Sequence, residues 1–525
     1  MTDSSADSKA GAPPVEPTES AKPSTGRFEL LVTVGILLAL LMGALDNFVA
    51  LTALPTILKQ FGQLNSGTFV ISAYVIASTA AIPIFAKLSD LWSRRNVFLG
   101  GLAIFIVGSL LSGASQNLTE LIAFRAVQGF GSGGFFPVGI AIVAVVFPPE
   151  TRARIIGLLS GVFGIAVVAG PLIGDEIVSY TTWRWVFYVN IPFGILGFLV
   201  IATTLGPLRP ALVRKFDLIG ALLLAAWVGA IMFPLYQIAE PGGWTWTDPR
   251  SLALLGSGVV LIMAFVVWEL RQSNPLVPLR LLRSRAMAAS GGATYFIGMV
   301  FFPVATFLSL VVGTALAPGN PNIVRDILYF LVIPLVVGAA LGGQLLTRLS
   351  YRAVGVLGLV IAIPGMAGLT TLTTTTPIWV LRFGFLPVGG VVLPLIPLGF
   401  GIGLTFPVFL LAAQNQVGTA DVGEAGGLMQ FLQSLGGAVG LSVLASFQTT
   451  RFNAIDPNPS ATCLTQNPLL PTCANFLQSF PGSLITSYDQ TFAVMVGLLV
   501  AALVFVLFLT GRVPTGNPKQ PSVPP

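Results

Sequence analysis

Hydrophobic positions in this chain fall in long unbroken runs that recur from about residue 30 to residue 511. In lipid each backbone amide must be bonded within the protein, which leaves helices or closed barrels, and continuous runs without a two-residue alternation select helices. A helix needs about 20 apolar residues to span the hydrocarbon core, and by that rule the pattern predicts about fourteen spans. They lie at 30–57, 67–88, 96–115, 119–147, 154–178, 184–206, 217–239, 251–270, 286–314, 325–347, 353–372, 389–414, 422–447 and 488–511. The run is least regular over 373–414, where Pro377, Pro387, Pro394 and Pro397 interrupt it.

The polar positions between the runs give an orientation. Basic residues collect in alternate loops: Arg94 and Arg95; Arg152 and Arg154; Arg209, Arg214 and Lys215; Arg271, Arg280, Arg283 and Arg285; Arg348 and Arg352. The loops between these hold single basic residues, Lys59, Arg184, Arg250, Arg325, Arg382 and Arg451. Cytoplasmic loops retain Lys and Arg, so both termini are expected in the cytoplasm. Composition agrees: 54% of the residues are hydrophobic and 9% charged, against about 25% charged in a soluble domain. The net charge of +6 then reflects loop bias, and no nucleic-acid partner is expected. The expected fold class is an all-α polytopic membrane protein.

Residues 1–27, rich in Ser, Ala and Pro, lack the apolar core of a signal peptide and read as a disordered cytoplasmic tail, and 512–525 is expected to be a second cytoplasmic tail. Cys463 and Cys473 fall in a Pro- and Asn-rich loop, 449–487, on the expected outer and oxidising side. A disulfide between them is expected, two free thiols being the alternative. The chain has no histidine, which excludes a His proton relay and His-ligated metal. It has no Walker loop for ATP drive and no evident nucleophile and base pair. Neither enzymatic activity nor a cofactor is expected.

The chain resembles itself at long range. Leu88-Ser89-Asp90-Leu91-Trp92-Ser93-Arg94-Arg95 follows the second span, and Leu345-Leu346-Thr347-Arg348-Leu349-Ser350-Tyr351-Arg352 follows the tenth. This suggests a six-helix unit over 28–207, a linker with two extra spans over 208–285, and a second six-helix unit over 286–511, as in transporters whose halves rock about a central site.

Among twenty acidic residues only Asp46 sits well inside a predicted span. A carboxylate at that depth must face a partner, a wet cavity, or be protonated; proton coupling is the functional reading, and a helix–helix hydrogen bond the structural one. Arg125, on the fourth span, is the matching cation unless it snorkels to the outer interface. Asp90, Arg94 and Arg95 form a charge cluster that reads as a cytoplasmic gate latch or as a topology signal. Gly161, Gly164, Gly170, Pro171 and Gly174 make a small-residue stripe on the fifth span, suited to close helix packing or to a bendable gating helix.

At these residues the sequence resembles the major facilitator superfamily, and within it the fourteen-helix drug:proton antiporters. The loop from Leu88 to Arg95 is similar to the superfamily signature loop, Arg125-Ala126-Val127-Gln128-Gly129 to the fourth-helix motif, and Ala169-Gly170-Pro171-Leu172-Ile173-Gly174 to the antiporter motif. Leu45-Asp46 through Pro55 and Trp183-Arg184-Trp185 through Gly194 extend the likeness, as do Asn274 to Leu279 and Gln433 to Gly440. Ala86, Leu91 and Ser93 depart from the signature loop, and Asp175 and Glu176 put an acidic pair after the antiporter motif.

The resemblance implies proton-coupled export by alternating access, with Asp46 as coupling carboxylate and Arg125 as its modulator. Phe48, Tyr74, Gln128, Phe136, Tyr295, Phe301, Phe406, Gln430 and Gln433 are the expected lining for a lipophilic or cationic small molecule. Protons, that cargo and the bilayer are the expected partners of a monomeric plasma-membrane protein. Export of an endogenous lipid is the alternative cargo; a non-transporting receptor or scaffold is the alternative of another class, and it requires that neutralising Asp46 be harmless.

Overall fold

The computed structural model describes residues 26–61, 67–206, 216–239, 244–316, 321–373, 376, 381–383, 386–388, 390–417, 422–455, 481–509 and 511. Thirteen helical stretches among them are long and apolar enough to cross a membrane. The first part of the chain forms α1 (Gly26–Phe61), α2 (Gly67–Leu91), α3 (Arg94–Ala114), α4 (Leu118–Ser132), α5 (Phe135–Val146), α6 (Pro149–Tyr180), the short α7 (Trp185–Tyr188) and α8 (Asn190–Thr204). Then come α9 (Leu218–Ala239) and α10 (Pro249–Arg271), followed by α11 (Arg285–Val311), α12 (Pro321–Leu345), α13 (Tyr351–Gly368), α14 (Val392–Gln414), α15 (Val422–Ile455) and α16 (Pro481–Leu507).

Caps set several helix starts. The Asn117 side chain accepts from Glu120 N at 2.9 Å, and the Glu120 carboxylate accepts from Gln116 N at 2.8 Å, so two otherwise orphaned donors are satisfied reciprocally. Ser284 and Ser350 cap α11 and α13 through Met287 N and Ala353 N.

Helices α1, α2, α3, α4 and α8 pack on one another, as do α11, α13, α14, α15 and α16. With α5 and α6 packed on the first group and α12 on the second, the two groups meet along two seams, α6 against α12 and α2 with α5 against α15. Helix α9 packs on both α2 and α15, while α10 covers α9 and leaves Leu252, Val260 and Met263 exposed, as suits a helix facing lipid.

Several boundaries differ from the pattern expected from the sequence. The run 119–147 is one membrane-capable stretch, Leu118–Val146, as expected, but a turn at Gly133 and Gly134 divides it into α4 and α5; glycine is a poor helix former, and the Phe85 side chain lies 2.6 Å from where a Cβ on Gly134 would be. Between α13 and α14, Leu381–Phe383 pairs antiparallel with Leu386–Val388, with Arg382 opposite Pro387, so the all-helical expectation gains one small ribbon where the prolines interrupt the run. Helix α15 continues to Ile455, past the expected loop start at 449, and is joined to α16 by a 3.0 Å bond from Gln448 Nε2 to Ser487 Oγ. Cys463 and Cys473 lie outside the described residues.

Candidate functional site

Asp46 lies near the middle of α1, and the structure encloses it completely. The residue is 1% exposed, Arg125 and Gln128 are 0%, and Asn190 is 4%. Arg125 Nη1 donates to Asp46 Oδ2, while Oδ1 accepts from Gln128 Nε2 at 2.8 Å and from Asn190 Nδ2 at 2.7 Å. Gln128 Oε1 accepts in turn from Arg125 Nη1 at 2.9 Å. Ser109 Oγ accepts from both Gln128 and Asn190 and donates to Phe187 O at 2.8 Å. The Arg125 guanidinium stacks over the Tyr74 ring at 4.2 Å, and Tyr74 donates its hydroxyl to Gly43 O at 2.9 Å. Arg125 therefore does not snorkel; it closes a network contributed by α1, α2, α3, α4 and α8.

Two close approaches make this geometry possible. A Cβ on Gly108 of α3 would fall 2.5 Å from Gln128 N, and one on Gly129 of α4 would fall on the Tyr74 carbonyl. Gly129→Val is expected to push α4 off α2, and overpacking of this kind costs about 1–3 kcal/mol. A lowered midpoint of thermal unfolding in detergent would register it.

Such a network is a poor way to stabilise a fold. Buried ion pairs replaced by apolar groups of like volume often leave stability unchanged or better, whereas removing one partner costs about 3–5 kcal/mol. What the arrangement does well is make the charge of one carboxylate matter to five helices.

A second ion pair joins the two helix groups. Lys87 Nζ of α2 lies 2.5 Å from Glu424 Oε1 of α15, both side chains buried. The expected latch residues sit one turn away and bond within their own group: Asp90 pairs with Arg94 at 3.4 Å, and Arg95 Nη2 donates to Ala202 O of α8 at 2.6 Å. In the small-residue stripe, Gly161 of α6 packs on Val336 of α12, whereas Gly170 faces Phe48 of α1 and Gly174 is buried. Gly164 and Pro171 lie on the same helix.

A cavity of about 30 Å³ opens between α11, α14 and α15, with Phe136 of α5 on its remaining side. Thr294 and Ile297 line it from α11, Thr405, Phe406 and Phe409 from α14, and Gln430 and Gln433 from α15. Four of the expected lining residues, Phe136, Phe406, Gln430 and Gln433, meet here. Phe301 lies behind them, its ring 5.2 Å from that of Phe406, and Tyr295 rests edge-on against Phe296. Tyr74 and Gln128 are placed elsewhere: both are engaged in the Asp46 network, and Phe48 lies against Gly170 of α6. A drug-sized ligand needs about 300–1,000 Å³, so the cavity in this conformation has room for a water or two and not for such a ligand.

The family model of the Major Facilitator Superfamily matches residues 36–441. The chain belongs to the major facilitator superfamily. It is 31% identical over 439 residues to multidrug resistance protein 3 of Bacillus subtilis, covering 83% of this chain and 82% of that protein. It is 30% identical over 511 residues to a triacylglyceride transporter of Mycolicibacterium hassiacum, covering 90% and 91% of the two chains. Among solved structures, the proton:xylose symporter XylE superposes with a TM-score of 0.59 at 13% identity, over 92% of this chain and 96% of that one. The human organic anion transporter MFSD10 gives 0.58 at 16%, over 90% and 99%. These two likenesses concern the fold alone. As a member of the superfamily the protein is a membrane transporter and not an enzyme.

Four residues of this transporter's polar constellations carry little signal in the sequence. Asn190 and Ser109 are neutral polar residues inside apolar runs, which are common. Lys87 and Glu424 stand near span ends, where charges ordinarily face water, and 337 positions separate them.

Proposed function

We propose that the protein exports lipophilic small molecules across the plasma membrane in exchange for protons, with Asp46 carrying the proton. Support comes from one observation above all: a membrane-depth carboxylate held by a permanently charged guanidinium and two carboxamides, with no exposure to solvent. Arginine does not lose its proton. Protonating Asp46 therefore leaves a buried cation without its counter-charge, at a cost of about 3–5 kcal/mol, and a rearrangement that wets Arg125 relieves it. Proton binding and conformational exchange are linked in this way. Re-entry of one proton supplies about 2.3 kcal/mol per 100 mV, enough to drive an apolar solute outward against a useful gradient.

Fourteen spans with cytoplasmic termini, two six-helix halves joined by α9 and α10, and a monomer complete this reading. The basic-loop asymmetry and the packing of helices into two groups favour it. Lipid is the second candidate cargo, favoured by the relative named for triacylglyceride transport, which aligns with nine-tenths of this chain.

The test is purified protein in proteoliposomes under an imposed pH gradient, given a fluorescent lipophilic dye and, separately, a fluorescent lipid. Asp46→Asn keeps the shape and can keep accepting from Gln128 and Asn190 while removing the carboxylate. Gradient-driven flux in the wild type, abolished in the variant, is the expected result. Flux that persists undiminished in Asp46→Asn would refute proton coupling at this residue, and movement independent of any gradient would indicate facilitated lipid or solute passage.

A further inference from the structure

We propose that the cavity between α11, α14 and α15 is the cargo site and that it selects uncharged lipophiles bearing an oxygen acceptor, such as an ester or a ketone, over organic cations. This rests on the export reading above and narrows its substrate class.

The first ground is the lining, in which no ionisable side chain takes part among the described residues. The carboxylates of the two ion pairs described above are already committed: Asp46 to Arg125, Gln128 and Asn190, and Glu424 to Lys87. A cation entering this space would give up its hydration without gaining a counter-charge. The rings of Phe136, Phe406 and Phe409 would attract it, but cation–π attraction is smaller than the hydration lost.

The second ground is a pair of neutral donors. The carboxamides of Gln430 and Gln433 line the cavity from α15, and each NH2 can donate to an oxygen of the cargo. Gly298 of α11 allows the close approach of α15, because a Cβ there would strike the Gln433 carbonyl.

A matched pair of probes decides the matter: one fluorophore carrying either a methyl ester or a trimethylammonium group. Binding is measured by fluorescence anisotropy to the full-length protein in nanodiscs without a gradient, and export is measured in proteoliposomes. The ester should bind at least tenfold more tightly than the cation. Gln430→Leu and Gln433→Leu should each weaken the ester about tenfold, which corresponds to about 1.4 kcal/mol, and leave cation binding unchanged, while Gln433→Asn should restore part of the loss. A monodisperse elution profile and unchanged thermal midpoint establish that each variant is folded. Tighter binding of the cation, or ester affinity indifferent to both substitutions, overturns the proposal. Export of the cation in preference to the ester would do so while leaving proton-driven export intact. Ester binding as described without gradient-driven movement would keep the assignment of the cavity and remove the export reading.

Discussion

Arg125→Met is expected to cost the folded protein about 3–5 kcal/mol, the range found when one member of a buried ion pair is deleted. The methionine fills much of the guanidinium's volume, so packing against the Tyr74 ring survives in part. What is lost is the positive charge facing Asp46, which at 1% exposure cannot recover it from water. Gln128 and Asn190 still donate to Oδ1, but neutral donors compensate a buried anion only partly. The double variant Asp46→Asn/Arg125→Met removes both charges and should regain most of the stability, so the two substitutions should be strongly non-additive. Neither variant should sustain gradient-driven export. Unfolding of the purified protein in detergent gives the cycle, and proteoliposome flux gives the second readout. Additive effects would mean that the two groups are not energetically coupled; export retained by the double variant would remove Asp46 from the coupling mechanism.

What the residue pattern made legible divides along a physical line. Asp46 and Arg125 stand out because a charge within an apolar run is costly and demands a reason, so their meeting was foreseeable from the chemistry of each. The neutral members of the same network were not, since Ser109 and Asn190 are cheap in a helix and carry no mark of their partners. Gln128 illustrates the reverse error. Its amide suits a cargo site equally well, and only the approach of α3 at Gly108 commits it to Asp46. The helical runs themselves were legible from length alone. The break at Gly133 and Gly134 was obscured because hydropathy does not register backbone propensity, and the extension of α15 to Ile455 because polar residues such as Gln448 and Thr450 continue a helix as well as they end one. The pairing of Lys87 with Glu424 depends on how α2 and α15 are brought together, which no local pattern contains.

That pairing predicts an asymmetry between removing one charge and removing both. Lys87 and Glu424 are buried where α2 meets α15, on the side that the basic loops assign to the cytoplasm. Opening that side would hydrate each of them separately. Lys87→Met takes the ion-pair partner from buried Glu424 in the closed arrangement only, destabilising closure by about 3–5 kcal/mol. Since each 1.4 kcal/mol is tenfold in population, the balance should move at least a hundredfold toward the cytoplasm-open form. Lys87→Met/Glu424→Leu should do the opposite: with no charge to desolvate, closure becomes as favourable as in the wild type or more so. In a background of Cys463→Ser and Cys473→Ser, Ile82→Cys reports the state, because Ile82 is buried on α2 about 7.5 Å deeper than Lys87 at 1.5 Å per residue. Maleimide applied from the cytoplasmic side should label it much faster in Lys87→Met and no faster than the reference in the double variant. Export should slow in Lys87→Met, where closure is rarely reached. Equal labelling in all three backgrounds would mean that the ion pair does not hold the two helix groups together.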